Sequence, residues 1–80
     1  MKLEKIIGDN VRGFRQQLDL SQDNFALKAG LHRTFIGTIE RAEQNITIDT
    51  ITKLAKALGV LPYVLLMEGA HLKPNRHQKN

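Results

Sequence analysis

Eighty residues with no cysteine, a formal charge of +4 and 41% apolar side chains describe one domain, not two. A domain this small buries only about 60% of the surface its unfolded chain exposes, so its stability alone is marginal. The missing cysteines exclude disulfides and thiolate metal sites and fit a reducing compartment.

The apolar run 60–67 is too short to span a bilayer. Met1–Lys5 mixes charges where a signal peptide needs an apolar stretch. The expectation is a cytoplasmic protein with no membrane partner. Residues 1–70 hold nine Lys and Arg against eight Asp and Glu, a balance of +1, and Lys73, Arg76 and Lys79 supply the rest. A binder of polyanions built on so neutral a body must place a few cations well.

Leu3, Ile7, Val11, Phe14 and Leu18 fall on one face of a first helix. Gly8 and Gly13 each cost it about 1 kcal/mol relative to alanine, so it needs tertiary support. It stops near Asp19, a residue that tolerates a left-handed turn. Ser21 reads as the N-cap of a second helix, with Asp23 in its positive first turn. That helix ends at Gly30, where positive φ is expected. A third runs from about His32 to Arg41. Thr47 caps a fourth, whose apolar stripe is Ile48, Ile51, Leu54, Ala55 and Leu58, and Gly59 ends it. Pro62 opens a fifth helix through about Glu68. From Ala70 the composition turns to Pro, Asn, His and Lys. The chain thus divides into a folded unit, residues 1–69, and a disordered basic tail, residues 70–80. The tail reads as a solvated end, with a second arm on nucleic acid as the rival. The fold class is all-α with five helices.

Phe25, Ala26 and Ala29 face inward from the second helix, and Leu31, Phe35, Ile36 and Ile39 from the turn and the third. Small residues at 26 and 29 let the two helices cross closely, and Gly30 makes the turn. This is a helix-turn-helix unit, whose second helix can enter a major groove. At about 100° per residue the third helix turns Arg33, Thr34, Gly37, Thr38 and Arg41 outward. Arginine can bridge guanine O6 and N7, and threonine offers a hydroxyl or a methyl to a base edge. Gly37 removes bulk at a cost to the helix, and close approach to DNA is one candidate for what repays it.

Ser21-Gln22, Ala26, Ala29-Gly30, Phe35-Ile36 and Ile39-Glu40-Arg41 stand at the spacings of the lambdoid phage repressor and Cro (Xre) family, which residues 6–68 resemble. The stretch from Ala29 to Gly37 is also similar to restriction–modification controller proteins. The resemblance implies the following roles. Arg33, Thr34 and Thr38 face base edges. Gln22 contacts a phosphate and braces the third helix. Asn45 and Thr47 hold phosphates at the start of the fourth helix. Glu40 pairs with Arg15 as a structural clamp. Arg41 reads either as a phosphate contact or as a free surface arginine, and His32 as a helix cap or a phosphate contact. The family usually carries Gly where Asp19 and Ala42 stand, so Ala42 either extends the third helix or strains the loop after it. Controller-like sequences often place Arg at Gln44. Asn24 replaces the commoner Glu of a capping box. Leu27 stands where the family is usually polar.

An eight-residue helix that is apolar on all sides cannot be covered by one face of a small domain. Val60–Met67 is therefore expected to pack one side on the core and the other on a second copy, through Leu61, Tyr63, Val64, Leu65 and Met67. Leu65→Glu is then expected to give monomers. The resemblance implies a dimer on a pseudo-palindromic DNA operator, with half-sites about 10 bp apart or a multiple of that. It also implies a transcriptional regulator that blocks or recruits RNA polymerase, with no cofactor and no small-molecule effector. A restriction–modification controller is the first reading; a phage or chromosomal Xre-type repressor and an antitoxin-like interaction module are the alternatives. His32, His71 and His77 lack acidic or thiol neighbours at a ligand spacing, so no metal is expected. No nucleophile–base set or phosphate-cradling glycine loop is present, and an enzyme is not expected.

Overall fold

A computed structural model describes residues 2–73. Four α-helices, α1 (Leu3–Gln17), α2 (Gln22–Ala29), α3 (Arg33–Glu40) and α4 (Ile48–Leu58), are followed by two 3-10 helices, Pro62–Leu66 and Ala70–Leu72. The all-α class holds. No helix among the described residues is long and apolar enough to cross a membrane.

Local chemistry sets the helix ends. The Ser21 hydroxyl accepts from the Asn24 amide at 3.0 Å and the Thr47 hydroxyl from the Thr50 amide at 3.1 Å. Gly30 and Gly59 close α2 and α4 with φ of 71° and 74°. Asp19 and Ala42 also adopt positive φ, 57° and 61°. These are the two positions at which the family prefers glycine. Of the two readings of Ala42, strain in the loop is the one observed: α3 ends at Glu40.

One core runs through the molecule. Ile7, Val11 and Phe14 of α1, Phe25 and Ala26 of α2, Ile36 and Ile39 of α3, and Leu54 and Leu58 of α4 are buried in it. Ile48 departs from the expected stripe. It is 82% exposed at the first position of α4, while Ile51 packs against the core.

The last segment corrects the sequence reading most. Pro62–Leu66 is a 3-10 helix, not the first turn of an α-helix reaching Glu68. Asn10, fully buried on α1, donates through Nδ2 to the carbonyls of Leu65 (3.0 Å) and Met67 (2.7 Å). It claims the acceptors that a continuing helix would use. Val64 and Leu65, expected at a dimer interface, are wholly buried in the protomer's own core. Met67 is half-buried against it, while Leu61 and Tyr63 are about half exposed, 50% and 51%, and Leu66 is 40% exposed.

Ala70 and His71, expected in the tail, are docked on the folded unit. Ala70 is buried, and Asn10 Oδ1 accepts from the His71 amide at 3.2 Å and lies 2.8 Å from its Nδ1. With the amide oxygen as acceptor, Nδ1 carries the proton. The ring meets Phe14 edge-on at 6.5 Å, and the Gln17 side chain donates to the His71 carbonyl. Arg76, His77 and Lys79 lie outside the described residues.

Gly13 makes this docking possible. A Cβ there would stand 2.2 Å from His71 Cδ2 and 2.7 Å from its Cβ. Gly8 similarly admits the Ile39 carbonyl, 2.5 Å from where its Cβ would be. Gly13→Ala is expected to destabilise the domain despite its better helix propensity, and adding His71→Ala should restore part of the loss. Thermal melts of the three proteins check this; a single variant as stable as the parent would show that His71 moves aside freely.

Candidate nucleic-acid interface

The recognition surface is assembled from a buried clamp outward. Arg15 on α1 meets Glu40 at the end of α3 through two hydrogen bonds, Nε to Oε2 at 2.7 Å and Nη2 to Oε1 at 3.0 Å. The side chains are 11% and 4% exposed. The remaining Arg15 donors are not idle: Nη1 reaches the Leu20 carbonyl at 2.8 Å. Gln22, the first residue of α2, donates to Glu40 Oε1 at 3.0 Å. One carboxylate therefore ties α1, α2 and α3 together, with a bidentate arginine geometry that fixes orientation as well as distance.

The His32 ring caps α3, with Nδ1 accepting from the Thr34 amide at 3.1 Å. Beyond it the exposed face of α3 gathers five of the expected residues. Gln22, Arg33, Thr34 and Arg41, with the acid Asp23, line a shallow concavity of about 220 Å³ that includes Gly37. Gly37 is itself buried: a Cβ there would lie 3.1 Å from Arg41 Nη1 and 3.8 Å from Gln22 Oε1, so glycine lets the Arg41 guanidinium lie close over α3. Thr38 follows one turn after Thr34. Its hydroxyl donates to the Phe35 carbonyl at 2.8 Å. What remains for an outside ligand is an acceptor lone pair and a methyl group.

Both arginines are held loosely. Arg33 lies 3.7 Å from Asp23 with both side chains largely exposed, and Arg41 Nε lies 3.1 Å from Glu43. Such pairs contribute about 0–1 kcal/mol, so they orient the guanidiniums without committing them. Asp23 as a partner for Arg33 was not read from the sequence. The signal was available, because helix-dipole placement accounts for an acid at 23 without requiring that it have no other role.

Asn45 and Thr47 stand apart from this concavity. Asn45 lines a separate cleft with Gln44 and Lys2. The Thr47 hydroxyl is committed on both sides, accepting from the Thr50 amide and donating to Thr50 Oγ1 at 3.0 Å. A larger concavity, about 850 Å³, follows the outer side of α1 past Arg12 and Leu72 and shares no residue with the α3 face.

The model of a helix-turn-helix family, HTH_3, matches residues 11–65. This chain belongs to that family. The match spans α2, α3 and α4 and the 3-10 helix that follows. The chain is 44% identical over 70 residues to the control protein C.SmaI of Serratia marcescens, covering 86% of this chain and 83% of the relative. In three dimensions it is similar to a hypothetical transcription factor from Neisseria (TM-score 0.81, 39% identity, 84% of this chain and 77% of that one). It is likewise similar to the restriction–modification controller protein C.AhdI of Aeromonas hydrophila (TM-score 0.74, 35% identity, 78% and 94%).

Proposed function

We propose that this helix-turn-helix protein is a sequence-specific DNA-binding transcriptional regulator of the restriction–modification controller type, acting in the cytoplasm as a dimer on a pseudo-palindromic operator. The observation that carries the reading is the shallow concavity over Gly37, lined by Gln22, Asp23, Arg33, Thr34 and Arg41 and locked to the scaffold through Glu40. Arg33 would leave its weak contact with Asp23 for guanine O6 and N7, a two-bond contact that a loosely held guanidinium can reach. Thr34 and Thr38 would meet base edges, Thr38 as an acceptor or through its methyl. Gln22 would set register on a phosphate while still bonded to Glu40, and Arg41 would add a second phosphate contact. Asn45 and the first amides of α4 would hold the backbone on the far side of the groove. The similarity to named control proteins supports the controller reading. Occupancy would then be the mechanism: a bound dimer blocks or recruits RNA polymerase, without a small-molecule effector.

The dimer surface assigned here is Leu61, Tyr63 and Leu66, apolar side chains that the protomer's own core leaves 40–51% exposed. A two-fold pair would present two α3 helices to successive half-sites.

The test is selection of binding sequences from a random duplex pool, followed by gel shifts over a salt series. A palindromic consensus bound with a negative salt slope is the expected result. A stable monomer with no sequence preference at moderate salt would remove the reading. Arg33→Ala should cost about 1–3 kcal/mol on the selected site and relax the preference at one position. Equal weakening on all sequences would make Arg33 a phosphate contact instead. Endonuclease and methyltransferase genes beside its own would establish the controller assignment.

A further inference from the structure

The α3 face leaves a second group of cations unused. Lys28, Lys53 and Lys56 line a cleft of about 410 Å³ between the ends of α2 and α4, over a floor that includes Gly30 and Ala57, with Leu27 at the rim. No carboxylate lines it. Lys53 has Asp49 at 3.3 Å, and Lys28 and Lys56 have no ion-pair partner among the described residues. In a body with a balance of only +1, three ammonium groups share one small cleft.

The helix dipole explains part of this. Lys28 and Lys56 stand in the last turns of α2 and α4, where a cation is favoured. The dipole does not explain Lys53 in mid-helix, which pairs instead with Asp49 one turn before it. Nor does it explain Leu27, 81% exposed on the same rim. A lone exposed leucine is ordinary. A leucine beside three lysines, of which only Lys53 has an acidic partner among the described residues, has the chemistry of a socket.

DNA does not account for the cleft. Gln22 and Thr47 stand at the N-terminal ends of the same two helices, and α4 puts about 16 Å between its two ends. Lys28 and Lys56 sit at the ends opposite those assigned to phosphates, and Lys53 stands in the middle of α4, three residues before Lys56.

We propose that this cleft docks an acidic segment of a partner protein, with carboxylates against Lys28, Lys53 and Lys56 and an apolar side chain against Leu27. Charge complementarity selects the partner and speeds the encounter, and the leucine fixes the register. The proposal goes beyond DNA recognition and uses that reading only to say which face stays free.

The test uses the full isotope-labelled chain, titrated by NMR with a synthetic peptide of glutamates flanking two leucines. Amide shifts are expected at residues 27–30 and 53–57, fading as salt rises. K28E/K56E should weaken peptide binding by about tenfold or more, and K28Q/K56Q, which leaves the helix ends without an unfavourable charge, by less. Both variants should bind the selected DNA duplex within about twofold of the parent. Shifts centred on Arg33 and Arg41, or peptide binding that ignores the lysine changes, would overturn the proposal. So would variants that lose duplex binding while the parent's cleft takes no peptide, because the lysines would then contact flanking DNA. A parent that takes the peptide but binds no duplex would keep the cleft and remove the DNA reading.

Discussion

Leu65→Glu is expected to leave no folded domain, rather than a folded monomer. Leu65 has no exposed surface and sits in the core with Val64 and Val11. A carboxylate there has neither water nor a cation, and burying an unpaired charge costs several kcal/mol beyond the lost packing. Truncation to alanine alone costs about 2–5 kcal/mol. Small domains have about 5–15 kcal/mol in total, so the glutamate variant consumes most or all of it. Circular dichroism should show lost helix before any question of assembly arises. The informative pair is Leu61→Glu and Leu66→Glu. Both side chains are substantially exposed in the protomer, so the helical spectrum should persist while sedimentation falls to the monomer. A folded, dimeric double variant would place the interface elsewhere.

Glu40→Ala is the second large expected effect. It removes the acceptor of both Arg15 bonds and of the Gln22 bond, and leaves a guanidinium that is 11% exposed without its counter-charge. Breaking a buried pair on one side costs about 3–5 kcal/mol. Arg15→Ala should cost a similar amount. The double variant should cost less than the two single effects added, because no orphaned charge remains. The cycle is read by urea denaturation. Single-variant losses below about 1 kcal/mol, or simple additivity, would show that the clamp contributes no coupling. DNA affinity should fall further than stability alone explains in the single variants, since Gln22 and α3 lose their common anchor.

The parts of this fold that were legible in the sequence are those decided within a few residues. Ser21, Thr47, Gly30 and Gly59 act on their own helix ends, so residue type and position sufficed. The outward set of α3 followed from helical period alone. The Arg15–Glu40 clamp spans 25 positions and came from the family resemblance, not from spacing. What escaped was settled by distant partners. Asn10 is a polar residue buried on the inner face of α1 between Ile7 and Phe14. It holds the carbonyls of residues 65 and 67. Which side of Leu61–Met67 turns inward depends on that bond, so a helix with apolar residues all round could not be sided in advance. Gly13 read as a cost to α1; its purpose lies 58 residues away at His71.

The Glu40 hub has one more consequence. α3 is not an independent arm: its last residue is bonded to α1 and α2, and α1 in turn holds the segment that carries Leu61 and Leu66. In a two-fold pair joined there, the gap between the two recognition helices is fixed by the scaffold as on a ruler. One base pair inserted between half-sites moves the second site by about 3.4 Å and turns it about one-tenth of a helical repeat, and a clamped α3 has no slack with which to follow. Such a protein discriminates by the phasing of its half-sites as well as by their letters.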